Sequence, residues 1–360
     1  MWTTGAEQVE QAVAECVGLL GAVTEGDWEG VRAGRLDWDC RRTAVHIAED
    51  LIAYAGQLAG REQDGYAPFE LSMEEDTGNA DVLRVIGTTG ALLAAAIRTA
   101  PRHVRAFHPY PFRSANREGF AAMGVIEVLL HTHDICEGLG LSYEPAPELC
   151  DFVLTRIFPH VQPGPTPWPT LLWATGRGDL AGRAPLTEWR WNNNLVLDTE
   201  RLTLEGVTPA AATDLSTVGD GGFEWIEGGP VEGTRVGAGL VYKQYEDGTH
   251  RPEWGMYVLV RREDGRALGA MGFHGVPDAA GRVEIGYDLV EGARGHGYAT
   301  EALRTLSARA LKRDGVRTVL ANVERGNLPS QNVLARAGFI QVPAEDPELL
   351  AYELREPREG

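Results

Sequence analysis

The sequence predicts two domains: an all-α bundle of four main helices with a small strand-containing extension, then an α/β domain. Three observations lead there. A chain of 360 residues exceeds what one typical hydrophobic core organises. Apolar residues over the first part of the chain recur at helical spacing. Beyond Asn194, short β-type runs alternate with helical segments.

Taken in order, "EQVEQAVAECVGLLGAV" puts Val9, Val13, Cys16, Val17 and Leu20 on one helical face. "CRRTAVHIAEDLIAYAGQLAG" follows, with Asp39 as its N-cap and Gly60 as its stop. "NADVLRVIGTTGALLAAAIRTA" is the third segment and Pro101 ends it. "NREGFAAMGVIEVLLHTHDICEGLG" is the fourth, and "APELCDFVLTRIFPHV" a shorter fifth. The Pro-rich "QPGPTPWPT" changes the texture, and "TLLWATGRGDLAGRAPLTEWRW" reads as short strands around a glycine turn. "NNN" at 192–194 has turn character and sets the boundary, giving domains 1–194 and 195–360.

In the second domain "ERLTLEGV" reads as a strand. "WGMYVLVRREDGRALGAMGFHGV" reads as two strands joined by a hairpin at Asp264-Gly265. "GRVEIGYDLV" is a strand, "GYATEALRTLSARALKRDG" an amphipathic helix, "VRTVLANVE" a strand and "NLPSQNVLARAG" a helix. "FIQVP" and "LAYELR" close the domain as strands.

The net charge of −19 is shared, with −11 on residues 1–194 and −8 on residues 195–360. Neither half has the bulk charge of a nucleic-acid binder, and an acidic surface favours cationic or amine-bearing partners. No apolar run is read as long enough to cross a bilayer. The N-terminus lacks a basic stretch followed by an apolar one, and Cys16, Cys40, Cys136 and Cys150 lack metal-type spacing. The expectation is a cytoplasmic protein with reduced thiols and no membrane partner; a homodimer is left open.

"EVLLHTHD" places four ionisable side chains on a helix otherwise built for a core. Residues four apart lie about 40° apart around a helix, so Glu127, His131 and Asp134 share a face and His133 does not. A stripe of Glu and His is half of a metal site, and zinc-type ions accept both donor types. The other half must come from a facing helix, and His46 is the best candidate. The alternative is a buried polar cluster that ties two helices together.

"LDWDCRRTAVHIAEDLIAYA", "EVLLHTHD" and "LLWATGRGDLAGRAPLTEWRW", in this order over residues 5–192, resemble the mycothiol-dependent maleylpyruvate isomerase family within the DinB-like bundles. The resemblance implies a divalent metal, zinc first, held by His46, Glu127 and His131. It implies Asp134 as an outer partner or as a cap near a helix end at Gly138, and a metal- and thiol-dependent isomerase or transferase reaction.

"VEIGYDLVEGARGHGYATEAL" combines a strand end, a loop of small residues and a helix start, a setting in which backbone N–H groups favour a phosphate. No Lys-Ser or Lys-Thr pair follows, so it is not a P-loop. Its R-x-x-G-x-A core resembles the acetyl-CoA motif of the GNAT superfamily of N-acetyltransferases. "NVERGNLPSQNVLARAGF" and "LDTERLTLEGVTPAAATDL" are similar to the branch that includes ribosomal-protein N-terminal acetyltransferases, over residues 196–356.

This second resemblance implies a mixed central sheet and acetyl-CoA as co-substrate. Backbone groups of Gly295, Gly297 and Ala299 would hold the pyrophosphate with Arg294 nearby, and His296, Tyr298 and Thr300 belong to the same cofactor-binding loop. Tyr287, Asp288 and Leu289 would bind the pantetheine arm, and Asn327 and Ser330 the thiol end. Ser330 would give a proton to the leaving thiolate, and Glu284 would take one from the attacking ammonium. Ser330 as a helix N-cap and Glu284 as an exposed strand residue stay open beside these roles. The acceptor pocket would form around 212–253. The reading is an N-acetyltransferase acting on an amine of a small molecule or peptide. Its alternatives are a bifunctional enzyme with a second, metal-dependent site, and a non-catalytic sensor or scaffold that binds acetyl-CoA and metal.

Overall fold

A computed structural model describes residues 2–109 and 112–355, which divide into two compact units. One unit is Thr3–Asn193; the other joins Met1–Trp2 to Asn194–Gly360.

The first unit holds α1 (Ala6–Leu20), α2 (Cys40–Gly60), α3 (Asn79–Thr99), α4 (Arg117–Leu139), α5 (Pro147–Ile157) and α6 (Pro167–Ala174). The caps fix where the long helices sit. The Asp39 carboxylate accepts from the Arg42 N–H and starts α2, and Arg61 in the left-handed region ends it, one residue past Gly60. Asn116 caps α4 by accepting from the Gly119 N–H. Gly140, at φ 69°, closes α4, so Gly138 lies inside the helix and is not its end. α1, α2, α3 and α4 pack around one apolar core that includes Val9, Leu51, Ile86, Leu93, Phe120 and Met123. Each such side chain contributes about 1.5–3 kcal/mol on burial. Gly124 allows a close approach of α4 to α3: a Cβ there would stand 2.5 Å from Leu93 Cδ2.

Two expectations are corrected here. Among the described residues, no strand lies between 161 and 194. "PWPTLLWA" is instead helix α6, with proline in its first turn and Trp168, Leu171 and Ala174 buried at three-residue spacing. Among the described residues, the named strands of this unit are β1 (Arg105–Ala106) and β2 (Ala115–Asn116), paired within the long 101–116 connection. The second correction concerns α3, whose 21 residues contain an 18-residue window of mean hydropathy 1.5 and so meet the length and composition of a membrane span. Val82, Leu83, Ile86, Leu93 and Ile97 on α3 are buried, and the helix packs on α1 and α2. Its high hydropathy comes from Val82, Leu83, Val85, Ile86, Leu92, Leu93 and Ile97, most of which serve that packing.

The second unit has β3 (Val196–Asp198), β4 (Leu202–Gly206), α7 (Pro209–Leu215), α8 (Glu232–Glu246), β5 (Met256–Arg261), β6 (Ala267–Phe273), β7 (Arg282–Leu289), α9 (Tyr298–Leu311), β8 (Thr318–Glu324), α10 (Leu328–Ala337), β9 (Ile340–Val342) and β10 (Leu349–Arg355). The sheet order is β3-β4-β5-β6-β7-β8-β10-β9. β7 and β8 are parallel and their neighbours antiparallel, so the sheet is mixed. Sequence reading left α8 within a glycine-rich region. Thr234, Ala238, Val241 and Tyr245 bury one face of it, and a Cβ at Gly237 would stand 3.1 Å from Met256 Sδ. Packing overrides three poor helix formers.

Within the mixed sheet, β7 and β8 pair only over Arg282–Glu284 and Thr318–Leu320 among the described residues. Beyond that, Ile285–Leu289 pairs with β6 and the rest of β8 pairs with β10. The two strands therefore separate into a wedge.

Candidate functional site

The wedge is bordered by alternating side chains. Asp288 Oδ1 accepts from Thr234 Oγ1 on α8 at 2.8 Å, and Tyr287 Oη meets Ser330 Oγ on α10 at 2.7 Å. Adjacent strand residues point to opposite faces, so α8 and α10 lie on opposite sides of β7. Asp288 is thus committed to holding α8 against the sheet, and burial raises its pKa.

On the face of Asp288 lies Glu284, two pairs of residues earlier. Its Oε1 accepts from Asn322 Nδ2 at 3.0 Å, and its Oε2 stands 3.4 Å from His274 Nδ1. The His274 hydrogen bond, aided by Asn322, holds the Glu284 carboxyl below its usual range against the opposing effect of burial. It is an ionised acceptor at neutral pH. These three residues line a cleft of about 450 Å³ whose further walls are Leu320, Val342 and Ala351.

On the other face, α10 begins at Asn327, whose side chain accepts from the Ser330 N–H at 3.1 Å. Asn327 is therefore the cap and Ser330 is not. The Ser330 hydroxyl is left to Tyr287, whose pKa burial raises.

Past Leu289 the chain makes one turn, Glu291–Ala293, before Gly295 at φ 80° and Gly297 at φ 82°. Gly297 is the N-cap of α9, and no side chain caps that first turn among the described residues. The amides of Tyr298, Ala299 and Thr300 thus sit at a bare helix start, which favours an anion. Arg294 Nε turns back to donate to the Leu289 carbonyl, and His296 Nδ1 lies 2.8 Å from the Arg294 carbonyl. The loop is pinned from the β3–β4 turn, a role sequence reading missed. Arg201 donates to the His296 carbonyl at 2.9 Å, pairs with Glu301 at 2.7 Å and lies over the Tyr298 ring.

Residues 201–340 match the family model described as an acetyltransferase (GNAT) domain. The second unit carries a GNAT acetyltransferase domain. Among curated proteins, the uncharacterized N-acetyltransferase YjdG of Bacillus subtilis (strain 168) is 37% identical over 84 residues, 23% of this chain and 50% of the relative. The uncharacterized N-acetyltransferase p20 of Bacillus licheniformis is 31% identical over 83 residues, 23% of this chain and 47% of the relative. The matched part of this chain thus spans about half the length of those relatives. A solved acetyltransferase from Agrobacterium tumefaciens str. C58 is 26% identical, with 49% of this chain and all (100%) of that one covered and a TM-score of 0.33.

Outside the GNAT domain, the helical unit brings a second group together. Donor atoms of His46, Asp50, Glu127 and His131 all lie within 4.8 Å of one another. His46 and Asp50 come from α2, and Glu127 and His131 from α4. Sequence reading named three of the four. Asp50 stands one helical turn after His46, the same spacing that singled out Glu127 and His131, and that spacing was the available signal. His133 is apart from the group, edge-on to Trp168.

The ring nitrogens facing away from the group are also held. His46 Nδ1 lies 3.3 Å from Glu49, and Glu49 takes a 2.8 Å hydrogen bond from Arg42. His131 Nδ1 lies 3.2 Å from Asp134, and Asp134 takes a 2.9 Å hydrogen bond from Arg177. Burial, followed by the neighbouring Glu127 charge, pushes the Asp50 carboxyl up to about 8. Burial opposes the charged form of His131, but hydrogen bonds to Asp134 and Glu127 outweigh it and raise its pKa to about 9. Burial opposes the charged form of Glu127 too, yet His131 holds that carboxyl below the usual range.

Proposed function

We propose that the GNAT domain transfers an acetyl group from acetyl-CoA to an amine of a small molecule or peptide. The observation that carries this is the wedge between β7 and β8, with an ionised carboxylate on one face and paired hydroxyls on the other. A thioester in the wedge would meet the amine from the Glu284 side and release its thiolate on the Ser330 side.

In that reaction a C–N bond forms and the C–S bond breaks. Glu284 takes the proton of the attacking ammonium, directly or through one water. The Ser330 hydroxyl supplies the proton that the leaving thiolate needs, and the Tyr287 hydroxyl, in contact with Ser330 Oγ, can replace it. The bare start of α9 and the Gly295–Gly297 turn suit the pyrophosphate of the co-substrate.

The experiment is thiol release from acetyl-CoA by the purified full chain over a panel of amines, with calorimetry for acetyl-CoA binding. Turnover with an amine supports the reading. Neither turnover nor binding refutes it, and binding without transfer to any acceptor favours a ligand sensor.

A second reading concerns the helical unit, and the paired Arg–carboxylate–His arrangements favour it. Ligand imidazoles are commonly oriented by a carboxylate on their outer nitrogen. The donor set of imidazole nitrogen and carboxylate oxygen fits a divalent ion of zinc type, with His46, Glu127 and His131 as its ligands. Such an ion, when bound with an open position, supplies a Lewis acid or an activated water. Metal analysis of the purified chain tests this: bound zinc that is lost in His46→Ala supports it, and a metal-free protein that takes up none refutes it.

A further inference from the structure

The two helices contribute alike. α2 offers the His46 imidazole and the Asp50 carboxylate, with Nε2 and Oδ2 3.1 Å apart. α4 offers the His131 imidazole and the Glu127 carboxylate, with Nε2 and Oε2 3.2 Å apart. Each pair spans one helical turn, so both side chains project from one stripe of their helix.

The outer contacts fix which nitrogen is available. Glu49 and Asp134 each accept from an arginine and stand as acceptors at the Nδ1 of the neighbouring histidine. Nδ1 is then the N–H of each ring, and both Nε2 atoms are turned toward the group. Tyr54 Oη donates to Glu127 Oε1 at 3.4 Å, which leaves Oε2 on the inner side. Two imidazole nitrogens and two carboxylate oxygens thus converge. Two carboxylates also match the charge of a dication. A three-ligand set would leave Asp50 as an extra carboxylate 3.1 Å from His46, with side-chain exposure of only 21%.

We propose that Asp50 is a fourth protein ligand, so that a zinc-type ion in the helical unit is enclosed by His46, Asp50, Glu127 and His131 and serves as a structural tie between α2 and α4. This rests on the metal reading above and goes beyond it. Structural zinc sites are four-coordinate and closed, whereas catalytic ones keep a position for water or substrate. On this account the ion cross-links the bundle and carries out no reaction.

Cobalt(II) alone, titrated into the metal-free full chain, is the probe. Four-coordinate cobalt absorbs strongly in the visible, and higher coordination absorbs weakly. The expected result is an intense spectrum that added azide does not change, with a melting temperature that rises as the ion binds. Asp50→Ala should weaken cobalt binding by about 100-fold or more, the upper end of what losing an outer partner costs. That variant's spectrum should become sensitive to azide. An azide-sensitive spectrum in the unaltered chain overturns the proposal and needs no variant to fold. So does an affinity unchanged in Asp50→Ala; in both cases a three-ligand metal site survives. Failure of the unaltered chain to bind cobalt or zinc removes the metal reading and this inference together.

Discussion

Tyr287 and Ser330 join strand and helix through a 2.7 Å contact between their hydroxyl oxygens. The pair lies at the wedge, and Asn327 has already taken the capping role that would otherwise occupy Ser330. Ser330→Ala is therefore expected to lower kcat by about 10²–10⁴-fold, with little change in the KM for acetyl-CoA. Tyr287→Phe should cost less, because the serine hydroxyl remains. Steady-state kinetics on both variants decide this; an unchanged kcat in Ser330→Ala would assign proton delivery elsewhere.

On the proposed mechanism, His274 sets the pH at which Glu284 works. The base must be ionised, so kcat/KM should fall on the acid side as Glu284 gains a proton. His274 is the largest cause holding that carboxyl below its usual range. Removing it in His274→Ala lets the Glu284 pKa rise, and the acid limb of the kcat/KM profile should move to higher pH. A limb that stays in place, or moves to lower pH, would mean that His274 does not govern the base.

Gly297 starts α9 at φ 82°, in the left-handed region. An alanine there is expected to cost about 1–2 kcal/mol of stability. Its Cβ would also stand 3.4 Å from Arg201 Nη2, on the residue that pins the loop. Gly297→Ala should lower the melting temperature and weaken acetyl-CoA binding together. Calorimetry that finds full affinity would show that the cradle tolerates a side chain there.

Arg177 neutralises Asp134, whose side chain is only 3% exposed. Removing one partner of a buried pair leaves a charge without compensation, at roughly 3–5 kcal/mol. Arg177 is itself partly exposed, so Arg177→Ala should fall at the lower end of that range. Metal affinity should drop about 10–100-fold, because Asp134 orients His131. Denaturant melts and a metal titration measure the two effects separately.

Much of this architecture was readable from residue pattern because its signals are local. Asp39 and Asn116 announce helix starts through their own side chains. The Asp264-Gly265 hairpin and the glycine loop before α9 depend on a few adjacent residues. What escaped depends on distant partners. α8 carries three glycines and becomes a helix because Ala238, Val241 and Tyr245 find a core. "PWPTLLWA" has the apolar residues of a strand, yet its buried positions follow a helix. Arg201 and Arg177 look like ordinary surface arginines until folding delivers them to Glu301 and Asp134. Asp50 is the exception, since its spacing from His46 was visible and only its convergence with α4 was not.

The three-residue contact between β7 and β8 has a consequence for how this protein could change over time. Past that contact β7 stays held by β6 and β8 by β10, each along its outer edge, while the edges that face each other part. Side-chain substitutions leave that allocation untouched, since amides and carbonyls are common to all residues but proline. The opening is therefore inherited with the strand order, while the residues around its mouth are free to drift. New acceptor preferences could arise at Val276, Val342 or Ala351 without rebuilding the cleft itself.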